Sequence, residues 1–300
     1  MGIEDTRAKY INPYTDFGFK LLFGTDLNKD LLISFLNALL FQKEEIKSIT
    51  YLNTENLGTQ EYDRRSVFDV YCENEKGERI LVEMQRGEQV FFKDRSIYYA
   101  TTPIRQQAPR GVWNYELKGV YVVSILNFKF RDDASEHYHH KVQLVDLRTK
   151  EVFYDKLTFI YLEMPKFNKT EQELETLFDK WLFVLRNLSN LLERPVALQS
   201  RVFDRLFEAA EIAKFTPQEQ SNYWESVKNY WDWYSVMDTN IQKGLEQGRK
   251  QGLEQGLEQG LEQGHAEEKI AIARKFKTMG FSVEQIMEGT GLTAEEIEQL

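Results

Sequence analysis

The chain has one cysteine, Cys72, in 300 residues. That excludes an intramolecular disulfide framework and a cysteine-rich zinc site, and it fits a reducing, cytoplasmic setting. Positive charge is scarce: 38 Lys+Arg stand against 48 Asp+Glu, a net of −10. Coating of nucleic acid by bulk charge is therefore excluded, and any contact with phosphates must come from a local basic patch. Long apolar runs are missing too. The longest stretch, Leu31 to Phe41, is broken by Ser34 and Asn37, whereas a membrane span needs roughly 20 apolar residues. The opening MGIEDTRAKY carries charges and no apolar core, so neither a signal peptide nor a membrane partner is expected.

Aromatic residues are unevenly spread. Residues 241–300 hold 9 of the 17 glycines but only Phe276 and Phe281 of the aromatics (5 Trp, 15 Tyr and 20 Phe in all). A chain segment so poor in large side chains cannot build the kind of core the rest can, which sets a boundary near residue 240. The expected organisation is an α/β core over 1–165, a helical cap over 166–240, and a repeat with a short helical hairpin over 241–300.

Within the core, Thr15 is placed to cap a helix carrying Phe19, Leu22 and Phe23, and residues 27–40 carry leucines on one broad face. From Lys47 the period changes to two. Strands are expected from Ile49 towards Leu57, over 66–73 and 79–86, near 119–128, and at about 141–147 and 157–164. A helix over 92–105 should end around Pro103. The almost wholly apolar 119–128 segment reads as a strand covered on both faces. Helices follow at about 170–192, 198–213 and 217–236.

The tail repeats Gly-Leu-Glu-Gln at Gly244, Gly252, Gly256 and Gly260. A four-residue period drifts about 40° per repeat around a 3.6-residue helix, so no straight leucine seam forms. Two readings stand: a partly helical linker, or a helix stabilised by self-association into a homo-oligomer. Beyond it, Ser282-Val-Glu-Gln285 and Thr293-Ala-Glu-Glu296 fit capping boxes that open two short helices. The last is strongly acidic, which suits protein contact better than DNA.

Chemistry concentrates at the 66–86 hairpin. If Asn74 faces Glu78 across a Glu-Lys-Gly turn, Asp69 faces Glu83, with Gln85 two residues further on the same face. Phe68, Val70, Cys72, Ile80, Val82 and Met84 gather on the opposite face. Adjacent carboxylates repel unless compensated, and a hard divalent cation such as Mg²⁺ compensates them while activating water against a phosphodiester. Register alone leaves the plainer alternative open, an edge hairpin with solvated acids.

Asp69 followed by Glu83-Met84-Gln85 resembles the D…(D/E)xK signature of PD-(D/E)xK nucleases. More specifically, Asp16-Phe-Gly-Phe-Lys20, Arg95-Ser-Ile-Tyr98-Tyr99 and the GLEQ repeats are similar to the Rpn family of recombination-promoting nucleases. The resemblance implies a restriction-endonuclease-like mixed sheet flanked by helices, a divalent metal (Mg²⁺ or another) held by Asp69 and Glu83, and double-stranded DNA as substrate. It sets Gln85 at the usual lysine position and gives Asp16 a supporting role through water. Lys20, Arg86, Lys93 and Arg95 are the expected DNA contacts. Phe68 replaces the proline of the superfamily signature.

Residues 86–118 hold six basic side chains against three acidic ones, a local surplus beside the carboxylates. Lys93 is a candidate to replace the missing lysine, and Arg95 has the alternative of pairing with an acid. His137, His139 and His140 beside Asp132 and Asp133 read as a polar loop rather than a metal site. The aromatics from Tyr223 to Tyr234 read as helix packing. The sequence thus points to a metal-dependent DNA endonuclease linked to recombination or transposition. The rival is a catalytically degenerate fold acting as a DNA- or protein-binding module, and position 85 separates the two.

Overall fold

The computed structural model describes residues 8–40, 45–52, 69–108, 111–131 and 133–300. The expected strand residues 53–57 and 66–68, together with Arg110 and Asp132, lie outside these. The chain divides into two compact units, Met1–Tyr230 and Trp231–Leu300.

In the first unit, Thr15 Oγ1 accepts from Gly18 N (3.0 Å) and opens α1 (Asp16–Phe23). α2 (Lys29–Leu40), α4 (Leu177–Asn187) and α5 (Arg201–Ala210) pack with it around Trp181, which touches the rings of Phe23, Phe35 and Phe203 at 5.2–5.8 Å. Its indole N–H donates to Ser34 Oγ (3.2 Å), so the one polar atom of the cluster is satisfied. The helix expected over 170–192 is shorter than its periodicity suggests. Two capping boxes divide it: Thr170/Glu173 closes a separate 3₁₀ turn, and Thr176/Asp179 begins α4.

The sheet has six strands: β1 (Ile49–Tyr51), β2 (Val70–Asn74), β3 (Arg79–Gln85), β4 (Val120–Leu126), β5 (His139–Val145) and β6 (Val152–Glu163), in the order β1-β2-β3-β4-β6-β5. β3, β4 and β6 run parallel; β1, β2 and β5 pair antiparallel to their neighbours. The β2–β3 turn forms as its residues dictate. Asn74 Oδ1 accepts from Lys76 N and Glu78 N (both 3.0 Å), and Gly77 takes φ +78°, where a side chain would be strained. The register follows: Val70 pairs Val82, Tyr71 pairs Leu81 and Cys72 pairs Ile80.

This hairpin is not a half-wet edge. β3 is third of six strands, and both faces of the sheet are buried around it, whereas β5 and the start of β6 are exposed. Val70, Cys72, Ile80, Val82, Val123 and Ile125 lie on one face. Tyr51 shares that face through its pairing with Cys72, and its hydroxyl reaches Phe23 O at the end of α1 (2.8 Å). Tyr71, Leu81, Val122, Leu126, Phe159 and Tyr161 lie on the other, covered by Phe92 and Ala100 of α3 (Phe92–Arg105). The carboxylate-bearing face is therefore itself a core face, with its polar groups at one end. α3 carries Pro103 in its last turn, and the helix ends two residues later at Arg105.

The second unit contains most of α6 (Pro217–Thr278), then α7 (Val283–Thr290) and α8 (Ala294–Glu298). The GLEQ segment is helical throughout, so the partly helical linker gives way to a continuous helix. Leu245, Leu253, Leu257 and Leu261 are exposed on it. Both expected capping boxes form, at Ser282/Gln285 and Thr293/Glu296. Ala273, Ile286 and Ile297 make a small core with Phe276, Val283, Leu292 and Leu300.

Gly18 sets the seat of α1. A Cβ there would overlap the Asn12 carbonyl oxygen and lie 2.8 Å from Thr15 Oγ1. Alanine gains about 1 kcal/mol in helix propensity, but overpacking costs typically 1–3 kcal/mol. Gly18→Ala should lower the urea midpoint despite its better propensity, the reverse of the usual Gly→Ala result in a helix.

Candidate active site

Continuing the β2–β3 register by one residue sets Asp69 opposite Glu83. Asp69 Oδ2 accepts from Met84 N (2.7 Å), which fixes its carboxylate between Glu83 and Gln85. Arg95, from the first turns of α3, reaches down onto the same group. Its Nη2 donates to Glu83 Oε1 and to Gln85 Oε1 (2.6 Å), and its Nη1 donates to Gln89 Oε1. Its guanidinium also lies over the rings of Phe92 and Tyr99, 5.5 and 5.3 Å from their centroids. Gln85 Nε2 donates to Gly87 O (2.8 Å), so both ends of the amide are engaged.

Burial controls the electrostatics. It lifts Glu83 from its ordinary 4.5 to about 7; Arg95 opposes the rise and Asp69 adds to it. Asp69 is raised as well, first by burial, while the Met84 N–H bond counteracts; Asp16 adds repulsion, and Lys20 and Arg86 relieve it. The pair therefore holds protons more tightly than free carboxylates do. Two buried polar atoms beside it have no hydrogen bond among the described residues: Arg95 Nε, and Oγ of Ser124, the β4 partner of Glu83.

Asp16, Lys20 and Arg86, all close enough to act on Asp69, line a neighbouring cleft of about 600 Å³ whose far wall is the start of α6. Asp16 and Lys20 pair with each other (3.2 Å). Lys93 Nζ lies over the Phe130 ring, 4.9 Å from its centroid. Of the two basic residues that sequence offered near position 85, Arg95 is the one on Glu83.

A second cluster was missed. His139 and His140 begin β5 instead of a loop. His140 meets Glu163 (2.6 Å) and Asp133 (3.5 Å), and the three ligand atoms lie within 4.8 Å of one another. The sequence signal that could have found it is Glu163-Met-Pro-Lys166, an acid and a base three residues apart where β6 ends.

The two carboxylate groups differ as cation sites. At Asp133/Glu163/His140, buried Lys166 already supplies the cation: its Nζ sits 2.9 Å from both carboxylates. At Asp69/Glu83 the donors are hard carboxylate oxygens with raised proton affinity and an incompletely hydrogen-bonded guanidinium as counter-charge. That donor set suits a divalent cation, which would replace protons.

With fold and geometry in place, the comparison with known families gives one answer. The family model for PD-(D/E)XK nuclease family transposases matches residues 13–240, and the chain belongs to that family. The sheet with its flanking helices is the restriction-endonuclease-like fold the resemblance implied, and the family supports a nuclease-like function. No curated protein and no solved structure matches the chain. Among the described residues, no helix is long and apolar enough to cross a membrane.

Two outcomes test the electrostatics. The folded chain keeps the Glu83 proton up to about pH 7, whereas the unfolded chain releases it near 4.5, so stability falls as pH rises through that window. Glu83→Gln should therefore unfold at higher urea than wild type at pH 8, by up to roughly 3 kcal/mol, and show little difference at pH 4. Lys166→Ala leaves two carboxylates without their buried cation and should cost about 3–5 kcal/mol in the same assay.

Proposed function

We propose that the chain is a metal-dependent DNA endonuclease that hydrolyses phosphodiesters in double-stranded DNA during recombination or transposition. The carrying observation is that Arg95 donates to both Glu83 and Gln85. The cation that glutamine removes from position 85 returns from α3.

Asp69 and Glu83 are the residues that would hold the divalent cation, Mg²⁺ or another. Such an ion, when bound, acidifies water and takes up charge on a phosphodiester. Asp69 is fixed for that role by Met84 N. Gln85, tied at both ends, orients the Arg95 guanidinium rather than a water. Arg95 then faces the charge that develops on the phosphate oxygens, a planar donor matched to them. Lys20 and Arg86 flank Asp69 on the other side and neutralise backbone phosphates. Asp16 acts on Asp69 through the field and orders solvent in the cleft. Self-association through the exposed repeat helix would bring two sites to the two strands. A cytoplasmic location suits a lone buried thiol and a DNA substrate.

Plasmid cleavage is the direct test. Wild type should nick or linearise DNA only with Mg²⁺ or Mn²⁺, and Asp69→Ala should not cut at all. Arg95→Ala should slow cutting by roughly 10²–10³-fold, and wild-type cutting should rise between pH 6 and 8 as Glu83 gives up its proton. A folded wild type that leaves DNA intact in every metal would support the binding-module reading instead.

A further inference from the structure

The cleft beside Asp69 has a wall that the hydrolysis does not use. Its floor is α1, with Asp16, Lys20 and Leu21; its far side is the start of α6, with Asn222, Glu225 and Asn229. These three stand at i, i+3 and i+7, so they share one helix face, and all are exposed. Asn222 Oδ1 accepts from Gln218 Nε2 (2.9 Å), and most of the cleft's other polar groups are engaged as well. Glu219 accepts from Thr216 N (2.8 Å) and Oγ1 (2.7 Å), Ser226 Oγ accepts from Phe17 N (3.1 Å), and Asp16 pairs with Lys20. Arg86 lies over the Tyr230 ring, 5.7 Å from its centroid.

Charge decides what such a cleft can hold. Three carboxylates (Asp16, Glu219, Glu225) line it against two cations (Lys20, Arg86). A track for a phosphate backbone needs the opposite balance. Amides and a carboxylate instead match the edge of a base with an exocyclic amino group: asparagine both donates and accepts, and glutamate accepts from the amino group. The volume, about 600 Å³, falls in the ordinary range for a small organic ligand, roughly 300–1,000 Å³. Both cations act on Asp69, which suits them to a phosphate attached to that base.

We infer that this cleft is a subsite for one unpaired nucleotide of the DNA, its base held by Asn222, Glu225 and Asn229 and its phosphate by Lys20 and Arg86. The inference rests on the nuclease reading and names a structural preference of the substrate. A duplex with an extrahelical base, or one where a base leaves the stack easily, fits the site better than a continuous duplex, because extrusion then costs less.

Binding separates this from catalysis. The full-length chain in EDTA is titrated into a fluorescein-labelled duplex, either fully paired or with a single bulged adenine, and anisotropy is followed. Wild type should bind the bulged duplex roughly tenfold more tightly. The double variant Asn222→Ala/Asn229→Ala should bring that ratio close to one. Alanine is the better helix former at both exposed positions, and circular dichroism of the variant checks that it folds. Equal affinity of wild type for the two duplexes overturns the subsite, as does an unchanged ratio in the double variant. Either result leaves the plasmid assay to judge the nuclease reading. Failure to bind either duplex also overturns the subsite, and the plasmid assay with metal alone judges the nuclease reading.

Discussion

Two carboxylates forced together at the end of a buried sheet face are the constraint on which this structure turns. Asp69 and Glu83 meet because the β2–β3 turn fixes the register, and they are desolvated because α3 covers the same face. Neither condition alone gives a pair with raised proton affinity. A solvated pair would keep ordinary proton affinities, and a buried apolar face would have nothing to titrate. Together they leave a demand for positive charge that Arg95 meets. The rest of the first unit serves that demand. The helices around Trp181 hold α1, which brings Lys20 beside Asp69; α3 brings Arg95; and the loop after β3 ties down Gln85 through Gly87 and Arg95 through Gln89.

What was legible in the sequence was what local chemistry decides. The Asn74–Gly77 turn, the hairpin register and the capping boxes at Ser282 and Thr293 each depend on a few neighbouring residues and formed as their chemistry requires. The helix over 92–105 was legible for the same reason. The opposition of Asp69 and Glu83 followed from counting along two strands. What was not legible depends on how distant segments meet. Nothing in residues 86–95 says whether Lys93 or Arg95 faces the sheet; the choice is made by the rotation of α3 against Tyr161 and Phe130. The convergence of Asp133, His140, Glu163 and Lys166 joins three segments and has no periodicity to betray it. The plainer alternative, an edge hairpin with solvated acids, gives way because Tyr71 and Leu81 share the carboxylate face and α3 covers them.

The two acidic clusters show how similar ingredients reach different ends. In one, a lysine lies among the carboxylates, nearly every polar atom finds a partner, and the result is a closed ion network. In the other, the cation is a guanidinium shared between an acid and an amide, with one nitrogen left over. A closed network rigidifies; an incompletely satisfied one can exchange its partners. That difference, more than the count of acids, distinguishes the two groups.

The glycine-leucine repeat has a consequence at the level of the gene. Each unit is a whole number of codons, so gain or loss of one unit keeps the reading frame. Each gain lengthens the helix by about 6 Å and advances its phase by about 40°. The small core around Ala273, Ile286 and Ile297 lies beyond the last repeat and is not cut into by such changes. Length can therefore drift within a lineage while the folded module at its end survives, a built-in tolerance to indels that a packed coiled coil would not allow.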